Sequence, residues 1–181
     1  MIGVLILVGG ASSRMGEDKA TQIWGGQRAV DRLAALGPAL GASALLTVGG
    51  RAYGLPHVED FTPGGGPVAG LAAGVEALRG AACKRAVALA VDAPTIRADD
   101  LTPLLEASSP GAAFDGLHLP IVFDLTAAPV DAGAGWSVRR FVERMGLMRL
   151  PCPADALHRL RGANTPDERR RLLAEYGPHP D

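Results

Sequence analysis

The sequence contains few aromatic or sulfur-bearing side chains and carries almost no net charge. Only 4% of its 181 residues are aromatic, and its two cysteines, Cys83 and Cys152, are too few for a disulfide scaffold or a zinc site built from cysteines. Lysine and arginine (18 together) balance aspartate and glutamate (19 together), so the basic excess typical of proteins that coat nucleic acid or anionic membranes is missing. We therefore expect neither nucleic acid nor a membrane as a partner.

Long apolar runs are also missing. The first run, Ile2–Val8, is too short to span a bilayer, has no basic segment before it, and ends at Gly9. It predicts a buried strand in a cytoplasmic protein. The hydrophobic content of 48% argues against disorder, and the length suits one domain. We expect this domain over residues 1–176, followed by a flexible tail over 177–181.

Apolar runs typical of strands alternate with segments whose apolar residues recur at helical spacing. Strands or extended segments are predicted at Ile2–Val8, Ala44–Val48, Pro56–Asp60, Ala86–Val91 and His118–Leu125. Helices are predicted at Ala29–Leu40, Val68–Leu78, Asp99–Ala107 and Trp136–Met145, with a last helix from Pro166 onwards. The alternation predicts a single α/β domain with a mostly parallel sheet flanked by helices.

The start of the last helix is defined by its capping residues. Thr165 is suited to the N-cap, Pro166 to the first turn, and Glu168 completes a capping box with Thr165. This pattern predicts a helix that begins at Pro166.

The connection after the first strand, Gly9–Ala20, is the most informative segment. Its glycines let main-chain N–H groups approach phosphate oxygens, and Arg14 and Lys19 add positive charge. It is not a Walker A loop, because no Gly-Lys-Ser/Thr follows, and Ser12 occupies the place of the second glycine of the dinucleotide fingerprint. Long ordered connections are often functional, which favours phosphate binding. The alternative is a plain connection whose charged side chains are merely solvated.

A carboxylate follows the predicted strand Ala86–Val91. Asp92 lies at the carboxyl end of that strand, where open α/β sheets bind ligands. One or two carboxylates together with substrate phosphates commonly hold Mg²⁺. The alternative is an Asx turn in which Asp92 only starts the next connection.

A second glycine-rich segment precedes the predicted helix Val68–Leu78. Gly66 and Gly70 flank Pro67 there, and such a tight main chain at a helix N-terminus permits a close ligand approach. Asp60 lies just upstream and is positioned to reach a ribose or a base. An ordinary loop with a solvated Asp60 is the alternative.

The segment Leu7–Ala20 closely resembles the signature of the MobA-like nucleotidyltransferases, the molybdenum cofactor guanylyltransferases. The family pattern is Leu-Ala-Gly-Gly-x-Ser-x-Arg-Met-Gly-x-Asp-Lys, and this chain reads Leu-Val-Gly-Gly-Ala-Ser-Ser-Arg-Met-Gly-Glu-Asp-Lys. The later pieces fall in the family's order: Asp60, the turn Gly66–Gly70, Asp92-Ala93-Pro94 and Asn164-Thr165-Pro166.

The resemblance implies a Rossmann-like fold and transfer of GMP from GTP to molybdopterin with Mg²⁺ and release of pyrophosphate. Lys19, Arg14 and Asp92 would be catalytic, with Asp92 as the metal ligand, and Asn164 would lie on the acceptor side. The implied nucleotide-binding residues are Val8, Gly9, Gly10, Ala11, Ser12, Ser13, Lys19, Asp60, Gly66, Pro67, Gly70 and Asp92. Asp60 and the turn Gly66–Gly70 would face the guanosine.

The chain departs from the family pattern on the nucleotide side and on the acceptor side of the expected cleft, where the segment around Asp115–Leu125 is also short. Val8 replaces the usual alanine, and Gly162 stands where the family's Asn-Ile-Asn-Thr-Pro motif has its first asparagine. The alternatives are a related CTP-dependent or sugar- or alditol-phosphate nucleotidyltransferase, and a non-catalytic nucleotide-binding regulator. The resemblance leaves room for partner proteins of molybdenum cofactor delivery, and we expect a monomer.

Overall fold

A computed structural model describes residues 1–9, 18–60, 62, 64–163 and 165–176. Within these residues the strands, in chain order, are β1 (Ile2–Leu7), β2 (Ile23–Trp24), β3 (Gln27–Arg28), β4 (Ala42–Val48), β5 (His57–Val58), β6 (Arg85–Ala90), β7 (Gly111–Phe114), β8 (Ile121–Asp124) and β9 (Met148–Leu150). Seven of them form one sheet in the order β5-β4-β1-β6-β8-β7-β9, whereas β2 and β3 form a separate hairpin.

The large sheet is mostly parallel, as the sequence predicts. Strand β1 pairs in parallel with β4 on one side and with β6 on the other, and β5 and β9 also pair in parallel with their neighbours. Only β8 runs antiparallel to both of its neighbours in this sheet. Along the chain, β1 is followed by β4 and β5 on one side of it and then by β6 on the other side. The order therefore reverses between β1 and β6, the place where open α/β sheets bind ligands.

Helices cover both faces of the sheet. The described α-helices are α1 (Ala29–Ala34), α2 (Leu36–Ala39), α3 (Pro67–Gly80), α4 (Thr102–Glu106), α5 (Val138–Met145), α6 (Leu157–Arg161) and α7 (Pro166–Tyr176). Alternate residues of β1 enter two separate apolar clusters: Val4 and Ile6 pack with α1, and Leu5 and Leu7 pack with α3. A strand buried on both faces explains why the first apolar run is continuous rather than alternating.

Several element boundaries differ from the sequence prediction. The helix predicted over Ala29–Leu40 is divided into α1 and α2, and the segment predicted over Asp99–Ala107 begins as the 3-10 turn Asp99–Leu101 before α4. The extended segment His118–Leu125 contains only the shorter strand β8. Among the described residues, no helix is long and apolar enough to cross a membrane.

Candidate active site

Those predicted site residues that the structure describes converge on the carboxyl ends of β1, β4 and β6. Main-chain hydrogen bonds continue past the strands there: the N–H of Val8 donates to the Val48 carbonyl and that of Val91 to the Leu7 carbonyl, both at 3.1 Å. These bonds fix where the chain leaves the sheet towards Gly9 and towards Asp92. Gly9 and Asp92 therefore each follow a residue whose main chain is hydrogen-bonded to the sheet.

Lys19 and Asp92 face each other across this edge. The Lys19 Nζ lies 3.8 Å from Asp92 Oδ2, and the two side chains are 23% and 33% exposed. Burial raises the pKa of Asp92 above its ordinary value, and the Lys19 charge opposes that shift. The Asx turn considered as the alternative requires an N–H two residues on, and Pro94 has none. Asp92 is thus a partly desolvated carboxylate held beside a cation.

A local hydrogen-bond network holds Lys19 in place. Asp18 caps the 3-10 turn Lys19–Thr21, because its Oδ1 accepts from the Ala20 N–H at 3.0 Å. The Tyr53 hydroxyl donates to the other carboxylate oxygen of Asp18 at 2.7 Å. Burial raises the pKa of Tyr53 to about 12, and the hydrogen bond to Asp18 adds to the shift, so the phenol keeps its proton at neutral pH. Both carboxylate oxygens of Asp18 therefore accept hydrogen bonds that stabilise the turn.

Sequence reasoning missed Tyr53. Its main chain has a positive φ of 53°, and its carbonyl accepts a hydrogen bond from the Arg28 guanidinium at 3.0 Å. A positive φ at a non-glycine residue is uncommon and is the kind of signal that the structure, not the sequence, supplies.

Asp60 follows β5 and packs against glycine main chain. Its Oδ1 lies so close to the glycines that a Cβ on Gly70 would be 2.8 Å from it and one on Gly49 would be 3.4 Å from it. Within the described part of the chain this oxygen is buried and accepts no hydrogen bond. Burial raises the pKa of Asp60, with His57 opposing the shift. The carboxylate is therefore suited to accept a hydrogen bond from a bound group.

Close contacts between glycines bring the described residues of the expected nucleotide side together. A Cβ on Gly9 would lie 3.0 Å from Gly49 Cα, and Gly49 in turn borders Asp60. Gly70 lies against both Asp60 and Gly49 and is the fourth residue of α3, which begins at Pro67 and has Gly66, with a φ of 84°, as its N-cap. Gly9, Asp60 and the turn Gly66–Gly70 are thus brought together. Gly49, which the sequence interpretation left out, is the link between them.

The phosphate-binding loop and the acceptor side are described only in part. Gly10, Ala11, Ser12, Ser13, Arg14 and Asn164 lie outside the described residues. Immediately before Asn164, however, the Ala163 N–H donates to the Asp92 carbonyl at 3.0 Å. The segment expected on the acceptor side thus reaches the main chain of the expected metal ligand.

The donor chemistry fits a magnesium ion that is bound mainly through a substrate. Within the described residues, no group of three or more His, Cys, Asp or Glu side chains is arranged to hold a metal. Mg²⁺ is usually held by one or two carboxylates together with substrate phosphates and water, and a single partly buried carboxylate, Asp92, is the kind of ligand that such a site needs.

Comparisons with known proteins agree with this architecture. The chain is 29% identical over 180 residues to a molybdenum cofactor guanylyltransferase of Xanthomonas euvesicatoria pv. vesicatoria, with 94% of each chain covered. It is 40% identical over 117 residues to a probable molybdenum cofactor guanylyltransferase of Deinococcus radiodurans, with 62% of this chain and 58% of that protein covered. The fold matches the crystal structure of molybdopterin-guanine dinucleotide biosynthesis protein A from Archaeoglobus fulgidus with a TM-score of 0.69 at 18% identity, covering 96% and 97% of the two chains.

The family assignment comes from the whole domain and not from one motif. The sequence profile of the MobA-like NTP transferase domain matches residues 4–175, which include most of β1, the Lys19 turn, Asp60, Asp92 and most of α7. The α/β fold with its mostly parallel sheet is the one that the sequence predicts. This chain belongs to the MobA-like NTP transferase domain family.

Proposed function

We propose that this protein transfers GMP from GTP to molybdopterin, releases pyrophosphate, and uses Mg²⁺. Two lines of evidence support the proposal. The Xanthomonas and Deinococcus relatives are named as molybdenum cofactor guanylyltransferases, the former across 94% of both chains. The geometry adds the Lys19–Asp92 pair at the strand-order reversal, which is the observation that carries the proposal.

The reaction needs alignment and charge neutralisation more than a general base. An oxygen of the acceptor's terminal phosphate, already ionised, forms a bond to the α-phosphorus of GTP, while the bond from that phosphorus to the bridging oxygen of the β-phosphate breaks. The electron pair of the broken bond leaves with pyrophosphate. Positioning and electrostatic stabilisation dominate in such transfers. This fits a site where Lys19 and Asp92 face each other at the strand ends.

Lys19 supplies a fixed positive charge at the sheet edge. Its ammonium is directed by the Asp18-capped turn and lies within 3.8 Å of Asp92. Facing the phosphates of GTP, it stabilises the negative charge that builds up as pyrophosphate leaves. Arg14 adds a second positive charge to the same loop.

Asp92 holds the metal in this proposal. Its carboxylate is partly removed from water, so its affinity for a cation exceeds that of a fully solvated aspartate. When bound, Mg²⁺ neutralises phosphate charge and makes the α-phosphorus more electrophilic. The protein's own contribution is to keep Asp92 ionised beside Lys19 and to keep its main chain fixed at the end of β6.

Asp60 selects guanine. Its buried Oδ1 lacks a donor among the described residues and borders the buried glycines Gly49 and Gly70, which hold the carboxylate close against main chain. Guanine presents N–H donors on the edge where adenine and cytosine present different patterns. Leaving a buried carboxylate oxygen unpaired against a wrong base costs binding energy, and this cost gives discrimination.

Calorimetric titration of the four nucleoside triphosphates with Mg²⁺, followed by pyrophosphate release assays with molybdopterin, tests the proposal. We expect GTP to bind most tightly and to turn over only when molybdopterin is present. A preference for CTP would assign the chain to a cytidylyl activity. Tight GTP binding without any turnover would instead identify a nucleotide-binding regulator.

A further inference from the structure

The segment that follows α6 packs directly on the main chain of Asp92. Besides the hydrogen bond from the Ala163 N–H to the Asp92 carbonyl, Gly162 lies against the same carbonyl group. A Cβ on Gly162 would be 2.1 Å from the Asp92 oxygen and 2.9 Å from Ala93 Cα, distances that no side chain tolerates. The φ of 67° and ψ of −167° at Gly162 belong to a region that glycine almost alone occupies. This position therefore requires glycine on two independent grounds.

A buried ion pair anchors the same segment. The Arg159 guanidinium donates to both carboxylate oxygens of Asp100, at 2.6 and 2.9 Å, and the two side chains are only 13% and 6% exposed. Asp100 also accepts from the main-chain N–H of Arg97 at 2.9 Å. Because breaking one partner of a buried ion pair leaves an uncompensated charge, α6 is held firmly against the chain that follows Asp92. The Arg159–Asp100 ion pair thus stabilises the position of α6, which Gly162 directly follows.

Asp92 lies just beyond the regular sheet, so its position depends on such contacts. Strand β6 ends at Ala90, and the last bond towards the sheet is donated by the Val91 N–H. On the other side, the Ala93 N–H donates to the Ala90 carbonyl at 3.1 Å. Beyond these bonds, the Asp92 carbonyl is held by Ala163 and covered by Gly162.

We propose that Gly162 and Ala163 are positioning residues for Asp92. By holding the main chain of Asp92, they determine where its carboxylate lies. The inference rests on the proposed function, in which Asp92 holds Mg²⁺. In this chain the contacts with Asp92 and Ala93 leave no room for the asparagine side chain that the family motif has at this position. The Ala163 hydrogen bond also joins the segment before Asn164, expected on the acceptor side, to the metal ligand by a direct contact.

The test compares Gly162→Ala with Gly41→Ala. Gly41 also has a positive φ, of 63°, but an added Cβ there would meet nothing within 4 Å. Affinity for Mn²⁺, a spectroscopic substitute for Mg²⁺, is measured with bound GTP and without acceptor. We expect Gly162→Ala to weaken Mn²⁺ binding by about 10–100-fold, as the loss of outer contacts to metal ligands generally does, and Gly41→Ala to leave it unchanged.

A milder variant keeps the proposal testable if Gly162→Ala does not fold. Arg159→Lys retains a charge beside Asp100 but loses the two-pronged contact, and we expect a smaller weakening of Mn²⁺ binding in the same direction. Equal Mn²⁺ affinity in the wild type and in every variant of the two that folds would overturn the proposal, as would a wild-type protein that binds no Mn²⁺. Metal binding that depends on Gly162 in a protein that does not transfer GMP would overturn the proposed function and leave the positioning role standing.

Discussion

At the scale of single residues, Lys19 is expected to contribute mainly to the transition state. In Lys19→Ala, we expect the fold to persist and transfer to fall by an amount equivalent to about 2.7–4 kcal/mol, the usual loss when one preorganised charge contact is removed. The measurement is steady-state pyrophosphate release by purified, folded protein. Lys84→Ala is the matched control, because Lys84 is exposed and lies just before β6 at the opposite edge of the sheet. Near-normal turnover in Lys19→Ala would remove Lys19 from the mechanism.

Asp92→Asn is expected to separate activity from stability. Because burial raises the pKa of Asp92, the folded protein disfavours the ionised form, and a neutral asparagine removes that penalty. We expect transfer to fall and to require more Mg²⁺, while the midpoint of thermal unfolding, followed by circular dichroism, stays the same or rises. Asp115→Asn serves as the control, since Asp115 is exposed just after β7. A parental Mg²⁺ dependence in Asp92→Asn would contradict the metal role.

Tyr53 is expected to act through Lys19. Tyr53→Phe removes only the hydroxyl that donates to Asp18, a change worth about 0.5–1.5 kcal/mol for an ordinary hydrogen bond. We expect Tyr53→Phe to lower kcat/KM by this free energy in the wild-type background and hardly at all in a Lys19→Ala background. The Lys19 ammonium that Tyr53 positions is missing from that background, so its loss can have no further effect. Additive effects in this double-variant cycle would show that Tyr53 does not position Lys19.

The sequence predicts individual site residues where local rules apply and fails where contacts are distant. Lys19, Asp60 and Asp92 each follow a strand or a glycine-rich loop, so their gathering at one sheet edge follows from parallel topology. Tyr53 approaches Asp18 through a strained main chain that no pattern encodes. At Gly162 the sequence shows only a missing asparagine, whereas the structure shows the steric reason for glycine.

At the scale of elements, the capping box of α7 is a prediction from sequence that the structure confirms. The Thr165 hydroxyl accepts from the Glu168 N–H at 3.2 Å, and the Glu168 carboxylate accepts from the Thr165 N–H at 3.0 Å. We expect Thr165→Ala to lower the free energy of unfolding by about 1 kcal/mol, measured by urea denaturation. Thr126→Ala, in the exposed part of the 3-10 turn Leu125–Ala127, should change it far less. Equal losses in both variants would contradict the capping role.

Elements that the sequence analysis missed are short or have signals that it did not use. Strands β7 and β9 contain four and three residues, too few for a clear period. The hairpin of β2 and β3 turns at Gly25 and Gly26, both with positive φ, and a Gly-Gly pair is a recognised hairpin signal. Pro38 explains the division of the predicted first helix, because it lacks the N–H that a continuous helix would use and its ring crowds the preceding turn.

At the scale of the whole molecule, burial of carboxylates couples folding to pH. Although burial opposes ionisation of Asp100, its hydrogen bonds from Arg159 and the Arg97 N–H outweigh it and lower its pKa. Asp100 therefore adds stability above the ordinary aspartate value of 3.8, and this stability is lost as the pH falls through the lowered pKa. Asp92 and Asp60 have raised pKa values, so the folded protein binds their protons more tightly and gains stability as the pH falls from neutral towards 3.8.

These opposite signs predict a stability maximum in mildly acidic solution, and Mg²⁺ with GTP should move it. Urea denaturation across the pH range should show the free energy of unfolding rising below neutral pH and falling again below about the ordinary carboxyl pKa. Because Mg²⁺ binds only the ionised Asp92, Mg²⁺ and GTP should stabilise the protein more at neutral pH than in acid, and the maximum should shift upwards. In Asp92→Asn, the rise below neutral pH should shrink and the effect of Mg²⁺ should disappear, while GTP alone still stabilises through Lys19 and the glycine loop. A stabilisation by Mg²⁺ that persists in Asp92→Asn would place the metal on other residues.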